Sequence, residues 1–220
     1  MSKFSVIITA GGIGKRMGSS LPKQFMPIHD KPILMHTIEK FYHFDPSIQI
    51  ILTLPTDWKD HWEKLVLETN FKIPHRVING GKERYHSIKN ALKYCFGDYI
   101  SIHDGVRPLV SHSTLKNCAR KIRHHDAIIP VIPLIDSLRM KDENTTKAVD
   151  RSDFLLVQTP QCFKAEVIKK AYNQPYHTKI TDDASLVEAA GFEIITVEGN
   201  TENIKITNQS DLKYASLFLG

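Results

Sequence analysis

The 220-residue sequence predicts an α/β domain: a mostly parallel twisted sheet with helices on both faces. Three observations carry this prediction. Short β-rich apolar runs alternate with longer amphipathic ones, the pattern of strands joined by crossover helices. Apolar residues make up 41% of the chain, enough at this length for a buried core in one domain spanning 1–220. A glycine-rich stretch, AGGIGKRMGSSLPKQF (Ala10 to Phe25), follows directly behind the first apolar run, where open α/β sheets place their ligands.

Taken in order, the strand candidates are Phe4–Thr9, Gln49–Leu54, His75–Ile78, Tyr99–Ile102, Ala127–Val131 and Glu193–Val197. Ile33–Phe44 repeats apolar residues at helical spacing through Leu34, Ile38 and Phe41. Thr56 is placed to cap a helix running to about Asn70, with Trp58, Trp62, Leu65 and Val66 on one face. At i, i+4 spacing the two tryptophans read as core packing, not as an aromatic ligand box. Glu83–Phe96, Ser111–His124, Lys164–Asn173, Asp183–Ala190 and Gln209–Leu219 complete the helical set. The polar stretch Asp136–Arg151 breaks the alternation. Its segments Ser137–Met140 and Thr146–Val149 are expected to pair as a hairpin arm around the tip Lys141–Thr145.

A net charge of +5 with 24% charged residues of both signs is a mild basic bias that suits an anionic small molecule. No RNP aromatic motif, zinc-finger spacing or lysine/arginine-dense helix supports a nucleic-acid partner. The first apolar run is too short for a signal-peptide core or a membrane span, so the expected location is cytoplasmic, with no membrane partner. Cys95, Cys118 and Cys162 are widely separated singletons, without metal-ligand spacing or a disulfide framework, and read as small core residues.

The glycine loop can be tested against known phosphate binders. An ATPase phosphate loop needs Gly-Lys-Ser/Thr, yet Gly14-Lys15 is followed by Arg16, and Thr9 stands where the first glycine belongs. A dinucleotide fingerprint fits little better: Gly12 and Gly14 match, Met17 occupies the third glycine site, and Pro22 interrupts the would-be helix. What remains is a loop whose amides can cradle phosphates while Arg16 and Lys23 face a centre of displacement, as a triphosphate site requires. Solvated charges on a flexible loop are the alternative, disfavoured because Lys15, Arg16 and Lys23 are interleaved with glycines and a proline.

Further blocks follow in the chain: GGKERYHSI (Gly80 to Ile88), HDGVRP (His103 to Pro108), VDRSDFLLVQTPQCF (Val149 to Phe163), TDDAS (Thr181 to Ser185) and EGNTENIKIT (Glu198 to Thr207). With the loop, and in the same order, these blocks resemble the 2-C-methyl-D-erythritol 4-phosphate cytidylyltransferases of isoprenoid precursor synthesis across nearly the whole chain. The resemblance implies a Rossmann-like nucleotidyltransferase fold with a protruding β-arm, residues 136–151, used for dimerisation. It also implies transfer of a cytidylyl group from CTP to methylerythritol phosphate with release of pyrophosphate. Similar enzymes that activate ribitol 5-phosphate, giving CDP-ribitol, set the alternative acceptor; TDDAS and EGNTENIKIT resemble the methylerythritol type more closely.

By the same resemblance, Arg16 and Lys23 stabilise the transition state. CTP is held by Ala10, Gly11, Gly12, Gly14 and Lys15, by Gly80, Gly81 and Ser87 around the base, and by Asp104 and Lys205. The acceptor is held by Arg107, Ser137, Arg151, Thr159, Thr181 and Lys205, and Asp104 ligates magnesium (Mg2+). The reaction is an in-line displacement by a phosphate already anionic near neutral pH, so it needs positioning and charge, not a strong base. His103 reads as structural, and Asp182 and Asp183 read as an N-terminal helix cap with first-turn negative charge. Gly105 and Val106 stand where many relatives carry two alanines. The arm is expected to reach across a homodimer and complete the neighbour's acceptor site.

Overall fold

The computed structural model describes residues 3–12 and 21–219. Its strands, in chain order, are β1 (Phe4–Thr9), β2 (Pro27–Ile28), β3 (Lys31–Pro32), β4 (Gln49–Leu54), β5 (Arg76–Asn79), β6 (Tyr99–Asp104), β7 (Ala127–Pro133), β8 (Leu138–Lys141), β9 (Thr146–Val149), β10 (Leu155–Val157), β11 (Gln161–Lys164) and β12 (Ile195–Glu198). The helices are α1 (Ile33–Phe44), α2 (Lys59–Glu68), α3 (Arg84–Leu92), α4 (His112–Lys121), α5 (Ala165–Ala171), α6 (Asp183–Ala189) and α7 (Gln209–Ser216).

β1 is FSVIIT, a β-branched run buried through its middle on both faces, as a strand covered from both sides must be. It pairs in parallel with β4 and β6, and β5 extends the sheet beyond β4, also in parallel. Alternation along β1 divides the core. Ile7 points with Ile51, Ile100 and Ile102 toward α3, α5 and α6, where Ile88, Val167, Ile168 and Leu186 meet it. Val6 and Ile8 point the other way, with Ile50 and Leu52, onto Leu34, Met35 and Ile38 of α1 and Trp62 of α2. Each such fully buried aliphatic side chain contributes about 1.5–3 kcal/mol. Truncating Ile7 to alanine would therefore cost about 2–5 kcal/mol through lost burial and the cavity left behind.

The other half of the sheet carries the antiparallel pairs that make it mostly, and not wholly, parallel. β11 runs antiparallel between β6 and β7, and β10 runs antiparallel to β7. Ile128 pairs with both Cys162 of β11 and Ile195 of β12, and Val131 with both Val157 of β10 and Glu198 of β12. β10 and β11 therefore occupy the same edge of β7, as two halves of one lane interrupted at the cis Thr159–Pro160 peptide. Neither half stands out in the sequence, because three or four residues carry too little periodicity to read.

Several bounds differ from the sequence reading. β6 runs on to Asp104, and the helix predicted from Glu83 begins at Arg84 with Glu83 as its N-cap. Thr56 caps nothing: Pro55 precedes a tight 3-10 turn, Thr56–Trp58, and α2 starts at Lys59. The predicted hairpin forms as β8 and β9, which pair Leu138 with Val149 through Lys141 with Thr146, its first strand one residue later than predicted. Trp62 is buried in the core with Trp58 packed against it, and all three cysteines are buried. Among the described residues, no helix is long and apolar enough to cross a membrane.

Candidate active site

The carboxyl ends of β1, β4, β5 and β6 meet at one edge because main-chain bonds tie them there. Ala10 donates to the Thr53 carbonyl at 3.1 Å, Gly80 to Leu54 at 2.7 Å, and Gly105 to Thr9 at 2.8 Å. A Cβ on Gly11 would lie 3.9 Å from Ser87 Oγ, so Gly11 faces α3. Gly14, Lys15 and Arg16 fall outside the described residues. Beyond them the chain is anchored again. Gln24 Nε2 donates to the Ala10 carbonyl at 2.8 Å, and Lys23 Nζ donates to the Ile206 carbonyl at 3.0 Å, beside Lys205.

At the start of α3, the Gly81 amide donates to Ser87 Oγ at 2.9 Å, and the Ser87 hydroxyl donates to the Glu83 carbonyl at 3.2 Å. A Cβ on Gly81 would stand 2.4 Å from the Cβ of His86, and one on Gly80 would stand 3.2 Å from both the Leu54 carbonyl and Ser87 Oγ. Only glycine lets this turn lie flat on the helix and offer backbone edges as a rigid surface. Gly105 is equally confined: a Cβ there would meet Leu34 Cδ1 at 2.9 Å and the Thr9 carbonyl at 3.0 Å.

Asp104, the last residue of β6, sits at the centre. Its Oδ2 lies 3.1 Å from Lys205 Nζ and 3.2 Å from Arg107 Nε, and its Oδ1 lies 4.0 Å from Arg84 Nε. Burial alone would raise the pKa of this carboxyl, but Lys205, Arg84 and Arg107 outweigh it and hold the group below the ordinary carboxylate range. Asp104 is thus a fixed anion among cations. Arg107 is held in turn, donating from Nη1 to the Asn203 carbonyl at 2.6 Å.

Thr159 supports Asp104 from behind. The Asp104 amide donates to Thr159 Oγ1 at 3.2 Å, and that hydroxyl lies 3.0 Å from His103 Nδ1. His103 Nε2 lies 3.0 Å from the Arg107 carbonyl and must donate to it, so Nδ1 accepts from Thr159. Burial pushes the His103 pKa down to about 4, against the opposing pull of that carbonyl and of Asp104, and the ring is neutral as a structural role requires. The buried Thr159 hydroxyl is therefore engaged with the protein itself, and reaches the site through Asp104.

Thr181 is exposed just ahead of α6, which Asp182 caps through a reciprocal pair of bonds with Ser185. Asp183 does something the sequence reading missed. It is fully buried and receives Arg84 through two bonds, Nη1–Oδ1 at 3.0 Å and Nη2–Oδ2 at 2.5 Å, with the Tyr172 hydroxyl donating to Oδ1 at 2.6 Å. A signal was available: in a helix-starting Asp-Asp pair only the first can cap. The second falls on the face of Leu186 and Val187, where a buried carboxylate demands a cation. Arg84 lies within the glycine–serine block and is that cation.

Ser137 and Arg151 lie elsewhere, at the base of the arm. Both are exposed, and Arg151 Nη1 donates to the Ile135 carbonyl. Among the described residues, no hydrogen bond or ion pair joins either to the Asp104 cluster.

Among the described residues, Arg84, Arg107 and Lys205 outnumber the carboxylates of Asp104 and Asp183, so the strand ends suit a ligand that brings several negative charges of its own. With Ala10 to Gly12 on one side of that cluster and a backbone-edged turn on the other, the fold and site define a domain of the nucleotidyltransferase class. The family model described as 2-C-methyl-D-erythritol 4-phosphate cytidylyltransferase matches residues 4–220. The protein of that description from Bacteroides fragilis is 48% identical over 216 residues, covering 98% of this chain and 99% of the relative. Among solved structures, the 4-diphosphocytidyl-2C-methyl-D-erythritol synthase of Anaerococcus prevotii superposes with a TM-score of 0.84 at 26% identity, covering 99% of this chain and 98% of its own. The 2-C-methyl-D-erythritol 4-phosphate cytidylyltransferase of Francisella tularensis does so with a TM-score of 0.81 at 30% identity, covering 99% and 100%. The chain belongs to the 2-C-methyl-D-erythritol 4-phosphate cytidylyltransferase family.

Proposed function

We propose that the protein transfers a cytidylyl group from CTP to 2-C-methyl-D-erythritol 4-phosphate, giving 4-diphosphocytidyl-2-C-methyl-D-erythritol and pyrophosphate. The observation that carries this reading is the convergence of Lys205 and Arg107 on Asp104, with Lys23 bonded to the residue next to Lys205, at the mouth of the glycine loop. An acceptor phosphate oxygen forms a bond to the α-phosphorus of CTP as the bond to the β-phosphate oxygen breaks, and pyrophosphate leaves with that electron pair. Two anions must be brought together, so cations at fixed positions do most of the catalytic work.

Lys23, with Arg16, neutralises charge growing on the phosphoryl oxygens; the amides of Ala10, Gly11, Gly12 and Gly14, with Lys15, hold the triphosphate. Gly80, Gly81 and Ser87 read the cytosine edge through a backbone that glycine alone can bring so close. Lys205 and Arg107 draw in the acceptor phosphate, and Thr181 offers its hydroxyl to the polyol.

Magnesium fits this donor set as an ion held mainly by the nucleotide: Asp104 provides one ionised hard-oxygen ligand, and no group of three or more candidate ligands occurs among the described residues. When bound, magnesium would add Lewis-acid charge at the triphosphate.

The arm is read as a dimer device. Phe154 and all three residues of β10 are exposed apolar side chains, with Ile135 beside Arg151 at 76% exposure, which is a poor surface to leave in water. Pairing with a second copy would cover it and carry Ser137 and Arg151 to the partner's acceptor site.

Pyrophosphate release tests the reading. With CTP and magnesium, methylerythritol phosphate should support turnover and ribitol 5-phosphate should not. Arg16→Ala and Lys23→Ala should each lose about 10²- to 10³-fold in rate. Turnover with ribitol 5-phosphate alone would reverse the choice of acceptor.

A further inference from the structure

We propose that Arg84 is a positioning residue for this reaction, holding the acceptor-side turn Thr181–Asp183 and the Asp104 carboxylate in register with the cytidine-side helix; this rests on the cytidylyltransferase reading above. Arg84 is the first residue of α3, the helix whose Ser87 braces the Gly80–Gly81 turn. Its guanidinium reaches away from that turn to Asp183, gripped at two points 3.0 and 2.5 Å long, while Nε stands 4.0 Å from Asp104 Oδ1. Burial works against the charged guanidinium, yet Asp183 and Asp104 together hold it protonated. One planar cation therefore joins the end of β6, the start of α3 and the start of α6.

The next two residues extend the same junction. The Tyr85 hydroxyl lies 3.1 Å from the Tyr172 carbonyl and 2.5 Å from the Gln174 carbonyl, and the His86 ring packs 5.2 Å from the ring of Tyr176. Arg84, Tyr85 and His86 thus fasten the segment from Tyr172 to Asp183, which delivers Thr181. A two-point grip fixes both distance and orientation, which an ammonium cannot reproduce. Loosening it would displace the acceptor relative to the α-phosphorus while leaving the Ser87 side of α3 in place. A displacement of about 1 Å is enough to cost about 10²-fold in rate.

The full-length protein is assayed as Arg84→Ala, Arg84→Lys and Asp183→Asn, with kcat and KM for each substrate and calorimetric binding of CTP alone. For Arg84→Ala we expect kcat to fall about 10²-fold and KM for methylerythritol phosphate to rise about tenfold, while the Kd for CTP stays within about threefold. Arg84→Lys should be nearly as impaired, Asp183→Asn should share the kcat loss, and guanidinium at non-denaturing concentration should partly restore Arg84→Ala. Wild-type kinetics in Arg84→Lys would overturn the proposal, as would losses in Arg84→Ala matched by an equal loss of CTP affinity. Should Arg84→Ala fail to fold, Arg84→Lys decides alone, since it keeps the charge and removes only the two-point geometry. Failure of the wild-type protein to release pyrophosphate with either polyol phosphate is a separate result, and would overturn the activity together with the role of Arg84.

Discussion

Lys205 places its ammonium 3.1 Å from Oδ2 of Asp104, joining the segment after β12 to the last residue of β6. Arg107 shares the same oxygen at 3.2 Å. Asp104 therefore neutralises cations that would otherwise repel one another, and in the reaction proposed above it would have a second duty, presenting a hard oxygen to the nucleotide's metal. Asp104→Asn should remove both. Breaking a buried charge cluster by deleting one partner costs about 3–5 kcal/mol, and because Lys205 is partly exposed we expect the lower end of that range, read by urea denaturation. The magnesium concentration for half-maximal rate should rise roughly tenfold.

His103 gives the protein a stability that depends on pH. Its folded pKa of about 4 lies below the value of about 6.5 that the ring has when unfolded. Between those values the unfolded chain takes up a proton that the folded one refuses, so stability falls as pH drops from about 6.5 toward 4. The full effect is about 3 kcal/mol. Burial lowers His36 and His75 in the same sense. Denaturation midpoints at pH 7, 6 and 5 should therefore decline. In His103→Gln the starting stability should be lower and the decline shallower; an unchanged slope would assign the effect to other groups.

The central strands were legible because each carries a β-branched run whose residues are buried on alternate faces, as in β1 and β4. The β8–β9 hairpin was legible by contrast, a polar segment with no helical period. β10 and β11 were not, since their lane is short, split at Pro160, and paired with strands far away in the sequence. The site shows the same division. Gly80, Gly81, Ser87 and Asp104 could be found in blocks of recognisable order, but the partnership of Arg84 with Asp183 spans 99 positions and depends on which face of α6 is buried. Thr159 was visible as a residue of interest, whereas its hydroxyl's attachment to His103 and Asp104 follows only from folding.

Ser87 should act on binding and selectivity more than on chemistry. Its oxygen accepts from the Gly81 amide and its hydroxyl donates to the Glu83 carbonyl, so Ser87→Ala leaves the turn without its brace. Losing a hydrogen bond of this kind costs about 1–2 kcal/mol, which corresponds to a KM for CTP roughly tenfold higher. The kcat at saturating CTP should change little, and the preference for CTP over UTP should narrow. Steady-state kinetics with both nucleotides separates this from a general loss of folding, which would lower kcat instead.

Arm exchange predicts that two inactive proteins can rescue each other. If Arg151 serves the partner's acceptor site while Lys23 serves its own, Arg151→Ala and Lys23→Ala each disable every site in their own homodimers. In a mixed dimer one site receives both defects and the other receives none. Random reassortment makes about half of the dimers mixed, each with one intact site, so the mixture should recover about a quarter of wild-type activity. The two variants are unfolded together, refolded, and assayed for pyrophosphate release against each variant refolded alone. On the arm-exchange reading, recovery also requires the exposed apolar surface of Phe154 and β10 to be covered by a second copy. Adding Leu155→Glu to both variants should abolish it and leave a monomer by light scattering. No recovery from a mixture that does form dimers would place Arg151 at its own subunit's site.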